Sequence, residues 1–215
     1  MRAGMNAGVL EVCTSRFSKP ASRSDIPPAT HITDILSFHP PSYLTGVMIL
    51  NGTPVTGPLI ADLVTPVVDV YLGPLLQSTD VDAYQKGALY FLEVCVEGLP
   101  YHLHQRWLGD IVVQPRAVTN HLVKRKQDES GLLKAAQDPN LPKLLLLCEK
   151  DRLINNEALR QYVKDWKNCK TVVLPNADHT SWIGHPEVFR EAILGWIDEV
   201  TQNGNRDKLS ADLLR

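Results

Sequence analysis

Two short apolar runs, each followed by a polar turn and then a helical pattern, constrain this chain more than any other stretch. In Lys143-Leu-Leu-Leu-Leu-Cys148 successive positions are apolar on both alternating faces, as in a parallel strand buried from both sides. Glu149-Lys150-Asp151 follows, and then Leu159, Tyr162, Val163 and Trp166 recur at helical spacing. Thr171 to Leu174 is a second, β-branched run, with Asn176-Ala177-Asp178-His179 beyond it. Glu187, Val188, Phe189, Ala192, Ile193 and Trp196 mark a closing amphipathic helix, with Pro186 in its first turn, where a missing N–H is tolerated. Strand, helix, strand, helix in this order predicts a parallel α/β sheet, and functional groups of such sheets gather beyond the carboxyl ends of the strands. Asp151 and His179 both fall there. A carboxylate beside an imidazole fixes the ring tautomer and stabilises its cation, so the other ring nitrogen can act as a base. The bland alternative is that Asp151 caps the next helix and His179 is an ordinary loop residue.

Upstream, residues 1–28 have little pattern. Val9 to Cys13 fits a short strand, and Ser15 to Ser24 reads as loop or disorder. Organisation begins near Pro28. Thr30 to Phe38 places Ile32, Ile35 and Leu36 at helical spacing and stops before His39-Pro40-Pro41, as a helix ahead of proline does. Leu44 to Leu50 is expected to be a buried strand that ends at Asn51-Gly52-Thr53-Pro54. Pro58 to Leu76 is apolar and rich in proline, Val81 to Val96 is helical in pattern, and Pro115 to Ala136 supplies one or two further helices.

The passage His-Pro-Pro followed by Val-Met-Ile-Leu-Asn-Gly-Thr-Pro, the turn at Glu149-Lys150-Asp151, and Leu-Pro-Asn-Ala-Asp-His179-Thr with its later His-Pro-Glu-Val-Phe together resemble the α/β-hydrolase fold superfamily, from about Ala29 to Val200. That resemblance implies a triad in the chain order nucleophile, acid, histidine. It casts Asp151 as the acid and His179 as the base, and it leaves His185 a structural position. Two positions depart from the family pattern: Cys148 and Asp178 stand where glycine is common. The implied fold class is α/β, a partial α/β-hydrolase fold with about three parallel strands, flanking helices and a helical cap insertion. The expected boundaries are an irregular segment at 1–28, a core at 29–57 and 140–203, and a cap at 58–139. A cap excludes water and shapes the substrate pocket. Tyr90, Phe91, Tyr101 and Trp107 are candidates for the pocket wall, with packing inside the cap as the competing role, and Trp182 is a further candidate pocket residue.

The nucleophile is the gap in this picture. The family places it on a sharp strand-to-helix turn flanked by small residues, and the helix at Thr30 to Phe38 would put that turn near residues 22–28. The sequence there is Ser22-Arg23-Ser24-Asp25-Ile26-Pro27-Pro28, with no glycine between Gly8 and Gly46. Ser24 has one small flanking position, Ser22, and one bulky one, Ile26. Asp25 would be flanked by Arg23 and Pro27. Ile26 has no nucleophilic atom, and Pro27 lacks the N–H that completes an oxyanion hole. Ser24 is the one retained as a candidate. Residues 1–28 are also too few for the strands that precede the nucleophile in the family, so the strand at Val47–Leu50 should form an unpaired apolar edge open to self-association.

The functional expectation is hydrolysis of an ester or similar small organic substrate by a nucleophile–His–acid triad, in a chain read as truncated and of little activity by itself. The alternative is a non-catalytic, hydrolase-like module that binds a ligand or partner. No cofactor is expected. Tyr101-His-Leu-His104 offers two histidines without a third ligand, so no metal is assigned. A formal charge of −2 gives no reason to expect nucleic acid, and the basic run Lys124-Arg125-Lys126 reads as a solvated helix face. No apolar stretch approaches membrane-span length. Cys13, Cys95, Cys148 and Cys169 form no C-x-x-C pair, which fits a reducing, cytoplasmic setting. The alternative is an organelle-targeting N-terminus, from Arg2, Arg16, Lys19 and Arg23 among serines.

Overall fold

The computed structural model describes residues 31–77 and 79–213. The expected strand at Val9 to Cys13 and the residues considered for the nucleophile, Ser24 among them, lie outside the described residues. Three strands, β1 (Val47–Leu50), β2 (Lys143–Cys148) and β3 (Cys169–Leu174), form a parallel sheet in the order β1-β2-β3. Val47 pairs with Lys143 and Leu50 with Leu146, while Lys143 through Cys148 run in register with Cys169 through Leu174.

Side-chain alternation along the strands makes the two faces of the sheet. Val47, Ile49, Leu145 and Leu147 point to one face, where they pack with Ile32 and Leu36 of α1 (His31–Phe38). Leu132 and Ala135 of α7 (Ser130–Gln137) and Leu159 and Val163 of α8 (Asn156–Val163) complete that layer. Met48, Leu50, Leu144, Leu146 and Cys148 point to the other face, against Phe189, Ile193 and Trp196 of α10 (Pro186–Leu213). Burial on both faces explains why β1 and β2 read as continuous apolar runs rather than alternating ones.

The first layer depends on a close approach. A Cβ on Gly131 of α7 would stand 1.8 Å from the carbonyl oxygen of Leu36, so α7 and α1 touch backbone to backbone at that point. At the N-terminal end of β2, buried Lys143 aims its ammonium at three backbone carbonyls: Asp138 at 2.9 Å, Leu141 at 2.7 Å and Lys167 at 2.7 Å. Each of its three donors has an acceptor, which is what permits a lysine among apolar neighbours.

The insertion between β1 and β2 carries α2 (Ile60–Leu63), α3 (Val67–Gln77), α4 (Val81–Cys95), α5 (Tyr101–Val113) and α6 (Arg116–Lys124), followed by α7. Its helices divide by packing. Val68 and Tyr71 of α3, Leu92, Val94 and Cys95 of α4, and Trp107 of α5 form a third cluster, whereas α7 packs with the sheet. Leu153, from the turn after β2, and Ile183, from α9 (Ser181–Gly184), belong to that third cluster. The helical cluster therefore rests on the two turns that hold Asp151 and His179.

The observed elements also differ from the sequence expectations at their ends. The first strand begins at Val47 rather than Leu44, because Pro41–Tyr43 form a tight 3-10 turn in which the Leu44 N–H donates to the Pro41 carbonyl. The last strand starts earlier than Thr171, since Cys169 and Lys170 already pair with β2. The helix after β2 stops at Val163, leaving Trp166 beyond it.

Candidate active site

Beyond Cys148, β2 ends in a turn fixed from both sides. The Glu149 and Lys150 N–H groups donate to the carbonyls of Leu174 (3.0 Å) and Ala177 (2.8 Å), and the Glu149 carboxylate accepts from the Asn176 N–H at 2.7 Å. Asn176 has φ +57°, a left-handed conformation that asparagine tolerates better than most residues. These bonds bind the turns after β2 and β3 to each other, and Asp151 and His179 sit on them.

One carboxylate oxygen of Asp151, Oδ1, accepts the N–H groups of Leu153 (2.8 Å) and Ile154 (3.0 Å). The other, Oδ2, lies 2.9 Å from His179 Nδ1. Both side chains are buried, 5% exposed for His179 and 1% for Asp151. The helix-capping role weighed in the sequence falls instead to Asn155, whose side chain accepts the Ala158 N–H at 3.1 Å, while Asp151 Oδ1 closes the turn ahead of α8. A carboxylate can only accept in such a contact, an arrangement that would place a proton on Nδ1 and leave Nε2 its lone pair. That is the arrangement a general base needs.

The histidine turn is held by residues to which the sequence assigned no role. The Thr180 N–H and hydroxyl both donate to the Cys95 carbonyl, at 3.1 Å and 3.2 Å. Asp178 accepts the Glu97 N–H at 3.0 Å, so the residue departing from the family's glycine joins the turn to the end of α4. Asn51, directly after β1, donates from Nδ2 to the His179 carbonyl (2.9 Å) and to Ser181 Oγ (3.0 Å). The available signal was position: Asn51-Gly52 closes a buried strand at its carboxyl end, where functional groups of parallel sheets collect.

The buried thiols near the pair are unsuited to be nucleophiles. Burial pushes Cys148 from an ordinary 9.0 up to about 12, with contacts from Ser181 and Asn51 only partly opposing this. Burial likewise raises Cys95, with the charges of Asp151 and Asp178 adding to the effect. A thiol attacks as thiolate, so both are inert near neutral pH. The hydroxyl of Tyr71 is raised by burial and by the neighbouring Cys95 and Asp151.

The aromatic residues expected at a pocket do not all meet. Trp107 is 2% exposed inside the third cluster, with half-buried Tyr90 and Phe91 packed against it and Phe91 4.8 Å from Tyr71. Trp182 packs instead on the α10 side of the sheet, 6.0 Å from Phe189. A groove of about 410 Å³ on α10 is lined by Glu187, Arg190, Glu191, Leu194 and Gly195, and by none of these aromatic residues. Among the described residues, no cluster of three or more His, Cys, Asp or Glu side chains is arranged to hold a metal. None of the described helices is long and apolar enough to cross a membrane.

Neither a family model nor a curated protein matches this sequence. Solved structures do. The esterase RhEst1 from Rhodococcus sp. ECU1013 superposes with a TM-score of 0.68 at 15% identity, covering 81% of this chain and 63% of its own. A putative aryl esterase from Burkholderia cenocepacia gives 0.68 at 14% identity over 82% of this chain and 63% of that one. The esterase EaEST from Exiguobacterium antarcticum gives 0.60 at 16% identity, over 80% of this chain and 64% of that one. This chain has a partial α/β-hydrolase fold. It spans just under two thirds of the length of these α/β-hydrolase structures, with a three-stranded parallel sheet flanked by helices. At such identities the likeness concerns the fold, and the chemistry rests on the residues themselves.

Proposed function

We propose that this protein belongs to the hydrolytic branch of its fold, with His179 as general base and Asp151 as its orienting acid, acting on an ester or similar small acyl substrate. The observation that carries the reading is the 2.9 Å Nδ1–Oδ2 contact between two buried side chains at the carboxyl ends of adjacent parallel strands. The likeness to solved esterase structures favours this substrate class. In the proposed reaction, Nε2 takes the proton of a hydroxyl nucleophile as its oxygen attacks the acyl carbon. Nε2 then returns that proton to the departing alcohol, and water repeats the sequence to release the acid. Asp151 remains ionised throughout and stabilises the imidazolium. Ser24 is the candidate nucleophile in this sequence. Because the flanks of Ser24 depart from a small-residue elbow, the chain by itself is proposed to be a slow catalyst.

The helical insertion is proposed as a cap. Its support is the contact of its cluster with Leu153 and Ile183, beside the acid and the histidine. In β1, Val47 and Asn51 donate toward β2, so Met48 and Leu50 direct their backbone groups to the opposite edge. Self-association through that edge is proposed, and sedimentation of the purified chain measures it.

The test of the activity is turnover of short p-nitrophenyl esters by the full chain. The reading predicts slow turnover that falls by roughly 10²-fold or more in both His179→Ala and Asp151→Asn. Turnover unchanged in both variants would contradict the assignment. Binding of such esters with no turnover, unaffected by either substitution, would favour the ligand-binding alternative.

A further inference from the structure

Asn51 sits at the first position beyond β1, is fully buried, and adopts φ +47°. Its own N–H is fixed to the Leu146 carbonyl on β2 at 3.0 Å. Its carboxamide reaches the histidine turn, 128 residues away in sequence. Both hydrogens of Nδ2 are engaged there, by the His179 carbonyl and by Ser181 Oγ, while Oδ1 is buried with no hydrogen-bond partner. The residue that ends β1 is thereby tied to the histidine turn and to the start of α9 at one polar node.

Few side chains could do this. The node needs two N–H donors on one short side chain, in a backbone conformation with positive φ. Aspartate has the shape but presents only acceptors to a carbonyl and a hydroxyl; serine has a single donor; glutamine is a methylene too long. A buried carbonyl oxygen without a partner is a cost, and it is tolerated here on the residue that fixes the peptide following His179. The near side of the turn is held separately, by Ala177 accepting from Lys150 and Asp178 accepting from Glu97.

We propose that Asn51 is a positioning residue for His179, setting the backbone from which the imidazole reaches Asp151. The inference rests on the reading of Asp151 and His179 as an acid–base pair, and it assigns Asn51 no contact with substrate. Asn51→Gly deletes the carboxamide at no backbone strain, since glycine adopts φ +47° freely. Asn51→Asp keeps shape and conformation but removes both donors.

The experiment records the far-downfield proton resonance of His179 Nδ1–H by NMR on the full chain. The variants are Asn51→Gly, Asn51→Asp, Asp151→Asn and Lys143→Met, with melting followed by circular dichroism. Lys143→Met serves as a destabilised control, because Lys143 lies at the opposite end of β2. The expected result is a resonance abolished by Asp151→Asn, shifted or lost in both Asn51 variants, and unmoved in Lys143→Met. Folded Asn51 variants with the resonance at its wild-type position would overturn the proposal while the acid–base pair stood. A resonance indifferent to Asp151→Asn would overturn the pair, and the role of Asn51 with it. If neither Asn51 variant folds, Ser181→Ala, which frees one Nδ2 donor, decides by the same criterion: a shift supports the proposal and an unmoved signal overturns it.

Discussion

Replacing Gly131 by alanine sets two effects against each other, and the structure decides which wins. In the interior of a helix, glycine to alanine is ordinarily worth about 1 kcal/mol of added stability. In α7, however, the new Cβ would lie 1.8 Å from the Leu36 oxygen, 2.3 Å from its carbon and 3.0 Å from the Ser37 nitrogen. All three are backbone atoms, so no side-chain rotation relieves the overlap, and α1 must withdraw by more than an ångström. Forced overpacking costs about 1–3 kcal/mol, and more where the backbone itself has to move. The same movement pulls Ile32 and Leu36 away from Leu132, Ala135 and β1. With backbone on both sides of the overlap the cost lies at or above the top of that range, and subtracting the propensity gain leaves a net loss of roughly 2 kcal/mol or more. With a urea m-value of about 2 kcal/mol per molar, the unfolding midpoint should fall by about 1 M or more. Gly109→Ala is the control, because it lies in α5 with no atom within 4 Å of the added Cβ. That variant should be neutral or gain up to about 1 kcal/mol. If Gly131→Ala proved as stable as Gly109→Ala in urea titrations, the backbone contact between α1 and α7 would be refuted.

Two further outcomes follow from buried polar groups. Lys143→Met strands the carbonyls of Asp138, Leu141 and Lys167, and at about 1 kcal/mol each should lower stability by roughly 2–3 kcal/mol. A neutral or stabilising result in chemical denaturation would mean that burying the ammonium costs more than its three bonds return. Alkaline pH should also destabilise the fold. Burial raises Cys148 from 9.0 and Tyr162 from 10.0, each to about 12, so both ionise first in the unfolded chain. The unfolded state then holds fewer protons; the stabilisation is complete below about pH 9 and is lost as pH rises toward 12. Lys143, whose value is lowered by burial, works in the opposite sense and offsets part of this. Denaturation at pH 8 and pH 11 should differ by a few kcal/mol, and an equal or higher stability at pH 11 would contradict the placement of Cys148 and Tyr162.

What could be read from the sequence is what local chemistry determines. Leu144 to Leu147 announce a strand buried on both faces because nothing along the run is polar enough to meet water. The meeting of Asp151 and His179 was legible because each stands in the turn after a strand, at the carboxyl end of the sheet. The end of the helix at Phe38 was legible because Pro40 and Pro41 forbid its continuation. What escaped reading depends on contacts between distant segments. That α7 joins the sheet rather than the helical cluster follows from its backbone contact with α1, about a hundred residues away in sequence. The break between α6 and α7 lies where Arg125 and Gln127 both bind the Asp34 carboxylate, at 2.7 Å and 2.9 Å. Trp182, a candidate pocket residue, stands three positions after His179, but the turn directs it to the α10 side. Asn51 reads locally as a strand-ending turn residue, and its partners in the histidine turn appear only once β1, β2 and β3 are aligned.

The central claim is that Asp151 holds His179 with Nδ1 protonated and Nε2 free to take a proton. Nitrogen-15 NMR of histidine-labelled protein at about pH 9, where imidazole side chains are neutral, measures this tautomer directly. The account predicts that His179 carries its proton on Nδ1 in the wild-type chain and shifts toward the Nε2-protonated form in Asp151→Asn. An Nε2-protonated His179 in the wild type, or a tautomer that Asp151→Asn leaves unchanged, would contradict it.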